Sequence, residues 1–369
     1  RYPVGMASVV FYFQVHQPYR LRRYSVFDND PFYFEDKKNA EILRKVADKC
    51  YRPTTALILD LVKRHKGNFR VSYALTGVVL DQLEAWAPDV LDLFRALADT
   101  GCCEFLGETY YHSLSFLYSK DEFAQQVDMH TARIKALFGQ TPRVFRNTEL
   151  IYSNELAAYL SGMKDEQGRP RWAGVVCEGT DHLLGYRSPN YVYKPPAGAD
   201  GKDLVGAGGP GAGASRPLGV LLKNYRLSDD IAFRFSNRGW SEWPLSAEKF
   251  ARWVHQINGD GYLCNLFMDY ETFGEHQWAD TGIFKFLDAL PEKVFDVAHV
   301  PGAGGSGGAS GDGPVTENHF ITPSMALQQF EPVGHSAPVG RLQEGKALDV
   351  AQPERDHLQN HRREVGAQN

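Results

Sequence analysis

The chain has 369 residues, 43% hydrophobic and 23% charged, with a formal net charge of −5. This is a globular composition with material for a large core, and its acidity argues against nucleic acid as the main partner. No run of about 18 apolar residues appears, so no membrane partner is expected.

Five cysteines (Cys50, Cys102, Cys103, Cys177 and Cys264), an odd count with no C-x-x-C, read as reduced thiols. The protein is read as cytoplasmic, with a leader removed ahead of Arg1 left open. The first element is a buried strand over Ala7 to Val15, stopped by His16-Gln17-Pro18-Tyr19-Arg20. A histidine at the carboxyl end of such a strand sits where parallel α/β folds build their sites. A long aromatic and charged loop over 21–35 follows, then a helix over Ala40 to His65 interrupted near Pro53. Further on come a strand over Phe69 to Leu75 and a helix over Val78 to Ala98 broken at Pro88. Cys103 to Leu106 is a short strand leading into Gly107-Glu108-Thr109-Tyr110-Tyr111-His112. A helix over Asp121 to Phe138 has Asp121 as its expected N-cap.

Pro142 to Asn147 is a strand that runs into Glu149, followed by a helix over Ser153 to Gly162 and a strand over Gly174 to Cys177. The Gly/Ala-rich stretch 197–216 reads as a surface insertion, since it holds no GxxxxGK[ST]. Then come a strand over Val220 to Asn224, a helix over Ser246 to Gln256, the strand 262–268 ending in Asp269, and a helix over Thr281 to Leu290. A Gly/Ser-rich tract covers 302–313, and Thr322-Pro323-Ser324 caps a short helix. The polar stretch 336–369 is expected to pack loosely. The βαβα alternation, with about seven strands and polar residues at their ends, suggests a parallel barrel, with an open doubly wound sheet as the alternative. Residues 1–300 are expected to form the barrel domain, and 301–369 a linker with a helical or irregular segment.

Two stretches carry candidate chemistry. Asp269 and Glu271 are two apart, so a continuing strand would point both carboxylates one way, and their repulsion would raise one pKa and keep a proton for acid catalysis. Glu149 lies three residues from Arg146, whose charge keeps a carboxylate ionised as a nucleophile must be. One ionised and one protonated carboxyl group on different strands is the equipment of glycoside hydrolysis.

These residues, taken in order, resemble glycoside hydrolase family 57, in its α-amylase and α-amylase-like branch. His16-Gln17-Pro18, Gly107 to His112, Arg146-Asn147-Thr148-Glu149 and Asp269 to Gly274 resemble four successive motifs of that family. The resemblance runs from about Val9 to Phe330 and implies an incomplete (β/α)7 barrel with a short C-terminal helical extension. It implies a retaining hydrolase of α-1,4-glucans, with Glu149 as nucleophile and Asp269 as general acid/base, needing no cofactor or metal. Carboxyl groups roughly 5–5.5 Å apart would go with retention. His16, Gln17, Glu108, His112, Arg146, Glu271 and His276 would then bind the sugar or tune the acids, and Trp278 would stack on a sugar face, with Trp240 and Trp243 as weaker candidates. The family's fifth motif supplies an aromatic after the barrel. No aromatic residue follows His335 here.

The same two carboxylates would serve a 4-α-glucanotransferase or branching enzyme, where a sugar hydroxyl replaces water. A catalytically weak α-glucan-binding homologue is a second alternative. A metal-dependent deacetylase using His16, His112, Asp269 and His276 is a third, although no HxxxH or HExxH spacing is present.

Overall fold

The computed structural model describes residues 6–185, 187–198, 201–207, 216–296 and 318–334. The tract 302–313 and the tail 336–369 lie outside the described residues, as does the middle of the 197–216 stretch.

Among the described residues ten strands follow in order. They are β1 (Ser8–Val15), β2 (Val71–Leu75), β3 (Cys103–Phe105), β4 (Val144–Arg146), β5 (Gly174–Cys177), β6 (Val192–Tyr193), β7 (Val205–Gly206), β8 (Arg216–Pro217), β9 (Gly219–Leu222) and β10 (Leu263–Asp269). Seven are parallel neighbours, running β10-β1-β2-β3 and then β4-β5-β9. Gly107 joins the two groups: its N–H donates to Val144 O at 2.9 Å, and its carbonyl accepts from Arg146 N–H at 2.8 Å. Between β9 and β10 the described residues form no strand ladder. Asn224 N–H donates to Asn265 O, and the Asn265 side-chain amide donates to Leu222 O, both at 2.8 Å. The result is an incomplete (β/α)7 barrel.

The eight residues of β1, all buried, show why the sequence reads as one apolar run: both faces of a barrel strand are covered. Val10 and Tyr12 point inward, where they meet Ala74, Leu106, Val144, Val176, Leu221 and Phe267. Phe11, Phe13 and Val15 point outward against the helical layer. The segment 318–334 closes the amino-terminal mouth. Val9 N–H donates to His319 O and Ile321 N–H to Val9 O, and the helix Pro323–Gln329 puts Ala326 and Leu327 into the barrel core. Gly174 and Gly219, paired in register at the starts of β5 and β9, leave the space that Leu327 fills.

Two expectations are corrected. The helix Lys120–Phe138 is capped by Ser119, whose side chain accepts from Glu122 N–H at 3.2 Å. Ser119 has the extended backbone a cap requires (φ −150, ψ 111), while Asp121 is already inside the first turn. Asp269 and Glu271 do not share a face. The strand ends at Asp269, and Tyr270–Thr272 form a 3-10 turn that turns Glu271 into the core and leaves Asp269 exposed. All five cysteines are free and buried, and no helix among the described residues is long and apolar enough to cross a membrane.

Gly274 ties the loop after β10 to the π-helical turn Ala47–Tyr51. Its φ is +112, and a Cβ there would collide with the carbonyl oxygen of Lys49. Gly274→Ala is expected to cost about 3 kcal/mol or more, since strain and a backbone clash add. Urea unfolding checks it; a loss under about 1 kcal/mol would show that the contact can relax.

Candidate active site

Every barrel strand ends in polar residues at one mouth: His16 and Gln17 after β1, Thr76 after β2, Glu108 after β3, Arg146 and Glu149 at β4, Glu178 after β5, Lys223 after β9, and Asp269 on β10. That mouth, the carboxyl end of the barrel, is where such folds hold their chemistry.

The centre is Glu108, fully buried. The Gln14 amide donates to both of its oxygens at 3.3 and 3.2 Å, and Gln14 in turn accepts from the Tyr12 hydroxyl at 2.6 Å. The backbone N–H of Glu108 donates to Nδ1 of buried His130 at 3.4 Å, and His130 Nε2–H donates to Leu75 O at 2.8 Å. Burial pushes Glu108 up, but the His112 hydrogen bond and the charges of His112 and Arg146 outweigh it, so the carboxyl is held below its usual range.

His112 lies between two carboxylates, with Nδ1 3.4 Å from Glu108 Oε2 and Nε2 3.0 Å from Glu149 Oε1. Burial disfavours the imidazolium, yet the hydrogen bonds to Glu108 and Glu149 raise its pKa overall. Arg146 Nη1 also lies 3.4 Å from Nδ1. Nε2 therefore donates to Glu149 whether the ring is charged, with Nδ1–H on Glu108, or neutral, with Nδ1 accepting from Arg146. His16 stacks on His112, with centroids 4.2 Å apart and planes at 23°. Thr76 Oγ1 accepts Val79 N–H at 3.2 Å and shares a second hydrogen bond with His16 Nδ1 at 3.0 Å. Burial first, and then the His112 charge, lower His16 to about 4, so it is neutral.

The His112 hydrogen bond, aided by the Arg146 charge against the cost of burial, lowers Glu149 to about 2. Its backbone is left-handed (φ 56, ψ 25). Among the described residues four non-glycine residues have positive φ, and three of them, His112, Glu149 and Leu150, are here, which places backbone strain at the site. Buried Arg146 feels the charges of Glu108, Glu149 and Asp269 together, as does Tyr12.

Glu271 is the opposite case. It is only 7% exposed, bonded to the Tyr51 hydroxyl and to Gln17, and within 4 Å of no cation among the described residues. Burial, then the charge of Asp269, push it up to about 8. Across the seam, Lys223 Nζ is 3.3 Å from Glu178 and 3.6 Å from Asp229, and Asp269 adds to the field that keeps it charged against burial.

The model of the family described as glycosyl hydrolase family 57 matches residues 10–303. The chain belongs to glycosyl hydrolase family 57. A Methanocaldococcus jannaschii protein named "Putative alpha-amylase" is 41% identical over 296 residues, which cover 79% of this chain and 57% of that protein. The chain thus spans little more than half the length of that relative. Among solved structures, the 4-alpha-glucanotransferase of Thermococcus litoralis superposes with a TM-score of 0.60 at 17% identity, over 90% of this chain and 41% of the other. A branching enzyme of Pyrococcus horikoshii gives 0.58 at 14%, over 90% and 72%, and an alpha-amylase of Thermotoga maritima gives 0.53 at 12%, over 90% and 76%. At these identities the structures establish the shared fold.

Within this family 57 chain, the structure brings His16, Glu108, His112, Arg146 and Glu149 into direct succession, and Gln17 and Glu271 together beside Tyr51. His276 and Trp278 are exposed on the loop after β10; Trp278 lies 5.7 Å below the Lys49 amine. Trp243 is exposed, while Trp240 packs partly against the core. Among the described residues no three His, Cys, Asp or Glu side chains gather as metal ligands would. Gln14, Tyr12, Thr76, His130, Tyr51 and Lys223 belong to the network and were not singled out from sequence. A glutamine inside an otherwise apolar strand was the one visible signal.

An unfolded glutamate titrates near 4.5, and folded Glu271 at about 8. The folded state holds the extra proton between those values, so stability falls as pH rises through that window. Glu271→Gln has no such proton. Its stability relative to wild type should climb between about pH 4.5 and about pH 8, by at most about 5 kcal/mol, read as a rising difference in melting temperature. A difference independent of pH would mean that Glu271 is ionised at neutrality.

Proposed function

We propose that the protein is a retaining glycoside hydrolase of α-1,4-glucans, with Glu149 as nucleophile and Asp269 as general acid/base. The observation that carries this reading is the pair of carboxylates just after β4 and at the end of β10 around a common Arg146, one of them held ionised by His112. Substrate class and linkage come from the family and from the name of the Methanocaldococcus relative.

In this reading His112 holds Oε1 of Glu149, so Oε2 attacks the anomeric carbon. Asp269 gives its proton to the departing glycosidic oxygen as the C–O bond breaks, and a glycosyl ester forms on Glu149. Water then enters, Asp269 takes its proton, the ester bond breaks, and Glu149 returns ionised. Neutral Glu271 behind Asp269 spares the cleft a further negative charge. Arg146 is a donor for sugar hydroxyls, and neutral His16 offers them a ring nitrogen.

Incubation with maltoheptaose and soluble starch tests this, with products separated by size and the first-formed anomer read by NMR. The expected result is shorter sugars of α configuration, turnover abolished in Glu149→Ala, and a loss of about 10²–10⁴-fold in Asp269→Ala. Longer sugars beside shorter ones would assign a transferase. No product from the wild type would overturn the glucanase reading.

A further inference from the structure

The loop that follows His16-Gln17 holds its largest apolar side chains in water. Val26 is 92% exposed, Phe27 87%, Phe32 69% and Tyr33 50%. Several large apolar side chains left exposed on one loop mark a candidate binding surface.

The loop is nevertheless braced. Leu21 and Phe34 bridge antiparallel, Arg22 N–H donates to Tyr33 O at 3.0 Å, and Glu35 N–H donates to Arg20 O at 2.9 Å. Arg22 forks onto both oxygens of Asp30 at 2.7 and 2.6 Å, and the Tyr24 hydroxyl donates to Asp30 O at 2.6 Å. Buried Asn39 accepts from Arg20 N–H at 2.9 Å and donates to Arg20 O at 3.2 Å, which anchors the base of the loop. The ordering cost is met by polar contacts within the loop, and the rings are left outside. A surface ordered in advance loses less entropy on binding.

Position and charge narrow the occupant. The loop leaves the carboxyl end of β1, whose neighbour is β10, with Gln14 in register with Asp269. Trp278, 61% exposed, sits on the loop after β10, so the aromatic rings occupy adjoining sectors of the rim on the Asp269 side of the cleft. In residues 21–34 Arg22 and Arg23 are balanced by Asp28 and Asp30, so the platform carries no net charge. An anionic lipid surface or nucleic acid would call for excess cations. An uncharged glucan calls for flat rings on which the C–H faces of its pyranoses can stack.

We propose that the Leu21–Phe34 loop is a stacking platform for an α-glucan chain beyond the cleavage point, through Phe27, Phe32 and Tyr33. It rests on the α-glucan reading of the cleft and adds a second place on the same rim where a long chain is held. The platform acts on polymeric substrate and leaves the bond-breaking groups untouched.

The test uses the double variant Phe27→Ser with Phe32→Ser, and Phe27→Tyr as the conservative variant. In a Glu149→Gln background, retardation in native gels containing soluble starch reads binding without turnover. In the wild-type background, maltotetraose and starch hydrolysis are compared. The double variant should bind starch about fivefold or more weakly, raise KM for starch, and keep maltotetraose kcat/KM within about twofold, while Phe27→Tyr restores starch binding. Melting temperatures should not change, because these rings are exposed. Unchanged retardation with intact turnover would overturn the platform and leave the cleft reading standing. Size exclusion showing a dimer converted to monomer, with retardation unchanged, would assign the patch to a second copy. A wild type that neither binds nor cleaves glucans would overturn both readings.

Discussion

One buried carboxylate organises the mouth of this barrel. Glu108 has no solvent to stabilise it, and a lone charge in such a place would simply take up a proton. It stays ionised because Gln14, His112 and Arg146 surround it with donors and charge. Its effect reaches further than its contacts. Glu108 fixes one nitrogen of His112, which leaves the other to hold Glu149. Gln14 and His130 satisfy Glu108 and its backbone N–H, and Tyr12 in turn holds Gln14.

Four carboxyl groups share one mouth, and their surroundings drive them apart. Glu108 is buried and ionised by donors. Glu149 is exposed and held low by His112 and Arg146. Glu271 is buried among a phenol and an amide with no cation, so it keeps its proton near neutrality. Asp269 is exposed at the end of β10. Separation of this kind by environment is how one fold assigns acid and base roles to residues of the same chemistry.

The scaffold under these groups is closed unevenly. Six of the seven junctions between neighbouring strands are made by backbone pairing or by the Gly107 bridge. The seventh, between β9 and β10, is bridged by β6, antiparallel to β9, with Asn190 O accepting from Tyr262 and Leu263 N–H, and by the bonds of Asn224 and Asn265. The opposite mouth is sealed by 318–334, where two glycines make room for Leu327.

Much of this was legible in the linear chain. The apolar runs of β1, β5 and β10 announced barrel strands, because a strand covered on both faces must be apolar throughout. Prolines and glycines marked most breaks correctly, and the order of His16, Glu108, Glu149 and Asp269 announced the family. What the chain did not show depends on contacts distant in sequence. Arg146 is Glu149's neighbour in sequence, yet the hydrogen bond from His112, 37 residues away, does most to lower Glu149. The period-two reading of Asp269 and Glu271 failed because a 3-10 turn follows β10, and burial then put the retained proton on Glu271. His130, Thr76 and Tyr51 look like ordinary helix and cap residues until folding brings them against the site. By itself the sequence determined strand order and the carboxyl groups available, since hydrophobic period and residue type are local properties. Only the tertiary structure decided which acid is charged, because a pKa is set by what surrounds a group in space.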